Sequence, residues 1–154
     1  MRLLKKKNYL AMIRNAAKGE NRMFRNLYAE VDGKETDIAE NGKWSCAILV
    51  SSILYLNRCI GDLHATVSGT LADMEKNRWR ETKQLIPGVV LLWESLLGDD
   101  DGKPHDHLGF YLGDDLAMSN DSKGLGLPHI HSITYDGKRS IKKIYGHAIV
   151  NDEE

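Results

Sequence analysis

The sequence lacks several features that would decide its class quickly. No apolar run approaches the ~18 residues that a helix needs to cross a bilayer, so no membrane span is expected. The start does not read as a secretory signal, because Asn8, Arg14, Asn15 and Lys18 interrupt any apolar stretch there. A cytoplasmic protein is the default expectation, and a wall-directed one would need a non-classical or phage-type route. Cysteine is scarce. Cys46 and Cys59 lie 59 − 46 = 13 positions apart, and on one helix that is ~20 Å, far beyond disulfide reach. Both should be free thiols. An excess of one charge is missing too: 21 Lys+Arg against 22 Asp+Glu leave −1, so no global field calls for nucleic acid. Neither an internal repeat nor a low-complexity tract is present. Basic residues do crowd the first part of the chain, from Arg2 to Arg25, while Asp152, Glu153 and Glu154 close it. A solvated helix face explains the basic cluster, with an anionic surface as the alternative. The 154 residues, 42% hydrophobic and 28% charged, fit one domain with a sizeable core.

Against these absences stands the stretch from Asn41 to Leu54. A small polar loop runs into Ser45, and a nearly continuous set of apolar or small residues follows. Ser45 is a good N-cap, since its hydroxyl can accept from an unpaired amide of the first turn. Cys46 would then open a helix that is apolar around most of its circumference and therefore central. A thiol there faces the positive end of the helix dipole, which favours thiolate. Free cysteine is more commonly a small buried hydrophobe. Its position after a cap, with a suitable histidine downstream, is what singles out Cys46. Cys59, at the far end of the helix, reads as packing.

In chain order, residues 7–30 read as helical, with stripes at Leu10, Ile13 and Ala17 and at Met23, Phe24, Leu27, Tyr28 and Val31, separated by Gly19. Asp32-Gly33 is turn chemistry, and a polar loop leads on to residue 43. Thr66 should cap an amphipathic helix with Val67, Leu71 and Met74 inward and Asp73, Glu75 and Lys76 outward. The period then changes. Pro87-Gly88 turns into a buried strand, 89–93, and 98–104 is an exposed loop. Strands follow at 107–112 and 116–120, with a final hairpin pairing 130–135 with 141–150. Helices first and strands afterwards predict an α+β fold with an antiparallel sheet. Residues 1–40 would be a helical extension and 41–150 the catalytic core.

A cysteine nucleophile needs a base, and the base needs a group to orient it. Of the six histidines, His107 opens the strand His107-Leu108-Gly109-Phe110-Tyr111-Leu112, with Gly109 and Tyr111 on its face. Gly109 leaves room for a close approach. A two-residue turn after Leu112 or Gly113 sets Asn120 on the face of His107, whereas a three-residue turn sets Ser119 there. Asn120 is the preferred orienting residue, since its amide oxygen can accept from the imidazole and hold its tautomer.

These residues resemble a family. Ser-Cys-Ala-Ile-Leu-Val-Ser around Cys46, then Pro87-Gly88-Val89-Val90-Leu91-Leu92-Trp93, then His107 to Gly113, look like the three blocks of the NlpC/P60 cysteine peptidases, to which the CHAP amidases are related. The similarity covers roughly residues 40–135, and the ordered set is more specific than any one block. It implies a papain-like fold, Cys46 as nucleophile, His107 as base, and peptide or amide bonds of peptidoglycan as substrate. The family's usual acidic residue before the cysteine is Ser45 here, and its third residue, often histidine, aligns without gaps on Ser119. No metal or other cofactor is implied.

Other readings of the same residues remain. His105/His107 and His129/His131 are His-x-His pairs that could hold a divalent metal. A papain-like acyltransferase, deamidase or effector acting on proteins would keep the thiol chemistry with another partner, and a non-catalytic binding module would keep only the fold. His64 and His147 read as structural. Trp44 and Trp93 could line a groove, although packing is the simpler role.

Overall fold

A computed structural model describes residues 1–151. Among these, four helices (α1, Lys5–Ala16; α2, Cys46–Leu56; α3, Val67–Lys76; α4, Ala148–Asn151) accompany eight strands. The strands are β1 (Tyr28–Val31), β2 (Lys34–Asp37), β3 (Arg80–Glu81), β4 (Val90–Leu97), β5 (Pro104–Gly113), β6 (Leu116–Asn120), β7 (Pro128–Ser132) and β8 (Ile141–Gly146). β1 and β2 form a hairpin, and the others form a six-stranded antiparallel sheet in the order β3-β8-β4-β5-β6-β7. The fold class is α+β, as expected. No helix among the described residues is long and apolar enough to cross a membrane.

α2 is the centre of the packing. It is buried from Ala47 through Leu54, because its apolar residues leave no side for solvent until Tyr55. Its cap differs from expectation. The Ser45 carbonyl accepts from Leu49 N–H at 2.9 Å, but the Ser45 hydroxyl makes no capping bond and is buried without a partner. Thr66 does cap α3, accepting from Gly69 N–H at 3.1 Å. Asp73, expected on the outer face, instead accepts from the amides of Gly61 and Asp62 and lies 2.7 Å from His64 Nε2. That contact ties the 57–66 connection to α3.

The helical reading of 7–30 holds only for its first part. α1 ends at Ala16, Gly19 turns at φ +63°, and Tyr28–Val31 pairs with Lys34–Asp37 instead of continuing a helix. The spacing of Met23 to Val31 matched a helical stripe, but Asp32 (φ +51°) and Gly33 (φ +73°) form a two-residue turn with both dihedrals positive. Such a turn matches strand twist and selects a hairpin. The 1–40 extension is therefore one helix and a hairpin.

The final hairpin is also different. β7 pairs with β6, and β8 lies on the far side of β4, with Val90↔Tyr145 and Leu91↔Ile144 in register. An edge left open beside the apolar β4 would expose its unpaired amides and carbonyls, and β8 closes it. The segment between β7 and β8 must then cross the sheet, and it crosses the face that carries His107.

Register sets which residues share that face. Asp114 (φ +52°) and Asp115 (φ +57°) make the turn between β5 and β6, but a bulge between Tyr111 and Gly113 adds one residue to β5. The pairs are consequently Tyr111↔Ala117 and Gly109↔Ser119. One extra residue flips the return strand. Ser119 thus joins His107, and Asn120 faces the helices with Leu108, Phe110 and Met118. There Tyr9 of α1 meets Phe110 edge-on at 6.1 Å and donates to the Gly88 carbonyl at 2.8 Å.

Asn120 and two glycines fasten the loop before α2. Asn120 Nδ2 donates to the Gly42 carbonyl at 2.6 Å. Gly42 (φ +92°) lies so close to Gly126 that a Cβ on Gly42 would stand 2.2 Å from the Gly126 carbonyl oxygen. Gly42→Ala adds this backbone clash to left-handed strain, so urea denaturation should show a loss of about 2 kcal/mol or more.

Candidate active site

Cys46 occupies the first position of α2 and keeps part of its surface accessible. The backbone amides of Leu108, the residue after His107, and of Ala47 and Cys46 itself lie close enough to its sulfur to act on it electrostatically. The β5–β6 ladder stops at Gly109↔Ser119, and β4 covers the other edge of β5. The start of α2 therefore abuts the edge of β5 that β6 has vacated. The nucleophile candidate thus lies beside the strand that carries the base candidate, and among the described residues no hydrogen bond joins their side chains.

His107 is buried, and its partners fix its tautomer. His131 Nδ1 lies 2.7 Å from the Ser132 carbonyl, which only accepts, so Nδ1 carries the proton. Neutral His131 then accepts at Nε2 from the Ser119 hydroxyl, 2.7 Å away. With its only proton used, the Ser119 oxygen must accept from its two other neighbours, His107 Nε2 at 3.0 Å and Tyr135 Oη at 2.8 Å. His107 therefore carries its proton on Nε2 and presents a free lone pair on Nδ1. A general base needs that arrangement.

The floor of this cluster is aromatic. Trp93 is fully buried, with ring centroids 5.4 Å from His107, 5.5 Å from His131 and 5.7 Å from Tyr135. Its indole N–H donates to the Ile133 carbonyl at 2.7 Å, which holds the crossing segment on the sheet. Gly109 makes this packing feasible. A Cβ there would come 2.5 Å from the Met118 carbonyl oxygen and 2.9 Å from the Trp93 ring.

Burial keeps the pair uncharged at rest. Desolvation, reinforced by Arg139 and by His131 and His129, pulls His107 down to about 3. Desolvation pushes the Cys46 thiol up, against the pull of the Leu108 and Ala47 amides and of Arg139. The thiolate expected from the helix dipole is therefore not the resting form; loss of water outweighs the dipole here.

The sequence expectations divide as follows. Cys46 reaches the strand that carries His107, beside Leu108, and among the described residues no hydrogen bond joins the two side chains. Asn120 does not reach His107, because the bulge turns it to the other face, and its amide also donates to Ser122 Oγ at 3.0 Å. The hydroxyl that meets His107 is that of Ser119, which also bonds His131 and Tyr135. His-x-His at 129 and 131 was a visible signal for part of this; Tyr135 and Arg139 carried none. Cys59 is buried, with burial pushing its thiol up to about 11, as suits packing. His64 and His147 are structural, His147 stacking on Trp79 at 4.9 Å. Trp44 forms a rim, with its ring 4.5 Å from His105.

The metal reading finds no donor set. His105 turns to Asp101 at 2.9 Å, both nitrogens of His131 are occupied, and Ser119 holds Nε2 of His107. Among the described residues no three His, Cys, Asp or Glu converge in a way that could hold an ion.

Comparisons with protein-family models, with curated proteins and with solved structures find no match. The function is read from the geometry.

Two outcomes test this site. Ser119→Ala strips three partners of their shared oxygen and should cost about 2 kcal/mol or more in urea denaturation, since each buried group left unsatisfied costs ~1–3 kcal/mol. The pH dependence has a definite sign. His107, at about 3, and His131, at about 4, stay neutral when folded, whereas unfolded histidine titrates near 6.5. The unfolded chain binds more protons in that interval, so stability is complete above pH ~6.5 and falls on acidification toward pH ~3. The slope should reach roughly 1.4 kcal/mol per pH unit for each such histidine, and His107→Gln should shallow it.

Proposed function

We propose that this protein is a cysteine hydrolase of NlpC/P60 type, papain-like in arrangement, that cleaves peptide or amide bonds. Peptidoglycan stem peptides are the substrate class that the sequence resemblance suggests. One observation supports the reading above others. The thiol at the tip of α2 lies against the residue following a buried histidine, and that histidine has its Nε2 proton held by Ser119 and Nδ1 left open. A packing cysteine gains nothing from such an arrangement.

The chemistry follows from the protonation states. As the Cys46 sulfur attacks the amide carbonyl, its proton moves to His107 Nδ1 and a C–S bond forms. The carbonyl electron pair becomes an oxyanion, for which the Cys46 backbone amide at the helix start is a suitable donor. The intermediate collapses with cleavage of the C–N bond, and the Nδ1 proton goes to the leaving amine. Water, deprotonated by His107, then attacks the thioester and returns the thiol. Throughout, Ser119 holds the imidazole in one tautomer as His131 and Tyr135 hold Ser119.

Incubation of the wild type, Cys46→Ala and His107→Gln with purified peptidoglycan fragments, followed by mass spectrometry for new amines, tests the proposal. Wild type should release amine, and each variant should be slower by roughly 10³-fold or more. Equal release by Cys46→Ala overturns the nucleophile. No release by wild type from any wall type overturns the substrate class.

A further inference from the structure

Arg139 is a half-buried cation set beside this cluster, and nothing in the proposed reaction uses it. It stands at the end of the segment that crosses the sheet, just before β8. Its Nε donates to the Glu94 carbonyl at 2.8 Å and its Nη2 to the His105 carbonyl at 2.9 Å. The Glu94 carbonyl falls where the β4–β5 register shifts, between Trp93 and Leu96. The guanidinium therefore bridges β4 and β5 beside His107, held by backbone on two strands. This is a fixed position for a normally mobile side chain.

The cation is half-buried, and Glu94 and Asp106 act on it only from a distance, without an ion pair among the described residues. A guanidinium has five N–H donors, and these two bonds leave three. The nearest acidic groups on the adjoining strands are engaged elsewhere: Glu94 Oε1 accepts from Ser140 N–H at 3.0 Å, and Asp106 accepts from the Ser95 hydroxyl. Among the described residues no carboxylate lies within ion-pair distance of Arg139. Partial burial of an unpaired charge costs stability. A staple between strands needs hydrogen bonds but not charge, and the remaining donors face nothing that uses them. Arg139 acts electrostatically on Cys46 and on Tyr135, which places the cation within reach of the sulfur, while Glu94 and Asp106 act on it from beyond ion-pair distance. Beyond it lie His105, whose carbonyl Arg139 grips, and Trp44, whose ring is tilted against the His105 ring at 4.5 Å.

We propose that Arg139 is a substrate-recognition residue, whose strand-anchored guanidinium binds a carboxylate carried close to the scissile amide. The inference rests on the hydrolase reading of Cys46 and narrows its substrates to anionic ones. A planar fork with free N–H groups matches a carboxylate bidentately, which a lysine at this position would not do.

The test is chosen so that it does not require turnover. Iodoacetate and iodoacetamide alkylate the same sulfur, each displacing iodide, and differ chiefly in the carboxylate. The ratio of their rates at Cys46, read by mass spectrometry of its peptide in the full chain, therefore cancels changes in thiol acidity and access. In wild type the ratio should exceed that of Arg139→Gln by about tenfold, as a charge-assisted contact worth ~1.4 kcal/mol implies. It should also decline as salt is raised. Arg139→Lys should fall between the two. If Arg139→Gln does not fold, Arg139→Lys and the salt series on wild type still decide. A ratio that is unchanged by substitution, or indifferent to salt, overturns the assignment. Peptides bearing a free or an amidated carboxylate next to the cleaved bond then separate the two proposals. Preference for the free acid, lost in Arg139→Gln, supports both. A raised alkylation ratio without cleavage of any peptide supports the anion site and overturns the hydrolase.

Discussion

A single hydroxyl organises this site. The Ser119 oxygen sits between His107, His131 and Tyr135, giving its proton to one and accepting from two. The direction of each bond is forced by the Ser132 carbonyl at the far end, which can only accept. That chain of donors fixes the tautomer of His107 two residues away in the network. A buried polar network is stabilising when its groups are paired, and around the Ser119 oxygen all are, with Nδ1 of His107 the one position of that ring left open.

The form of the sheet is what allows this network to close. Gly109 removes the side chain that would keep Trp93 and Ser119 apart. The bulge in β5 rotates β6 so that Ser119, and not Asn120, meets His107. β8 bonds to β4, which obliges the preceding segment to cross the sheet and brings Tyr135 and Arg139 over the histidines. On the other face, Asn120 and the Gly42–Gly126 contact hold the loop that delivers Cys46.

The electrostatic character follows from burial more than from any single charge. A helix N-terminus favours thiolate, and the amides around Cys46 do exert that pull. Dehydration of sulfur and imidazole acts in the opposite sense and prevails. The outcome is a thiol and an imidazole that burial disfavours from charging, near a guanidinium with no carboxylate at ion-pair distance among the described residues.

Much of this was legible in local pattern. The apolar density after Ser45 specified a central helix opening at Cys46, the change of period specified helices followed by an antiparallel sheet, and Thr66 specified its cap, because each depends on neighbours a few residues away. The helix expected across 23–31 failed for a related reason: a two-residue turn with positive dihedrals outweighed an apolar stripe. Other features were not local at all. A one-residue bulge decided between Ser119 and Asn120, and β8 chose β4 over β7. Arg139 and Tyr135 reached the site only through that choice. Strand parity and strand order depend on which edges are left to pair after the chain has collapsed, so the partners of His107 were settled by tertiary structure alone.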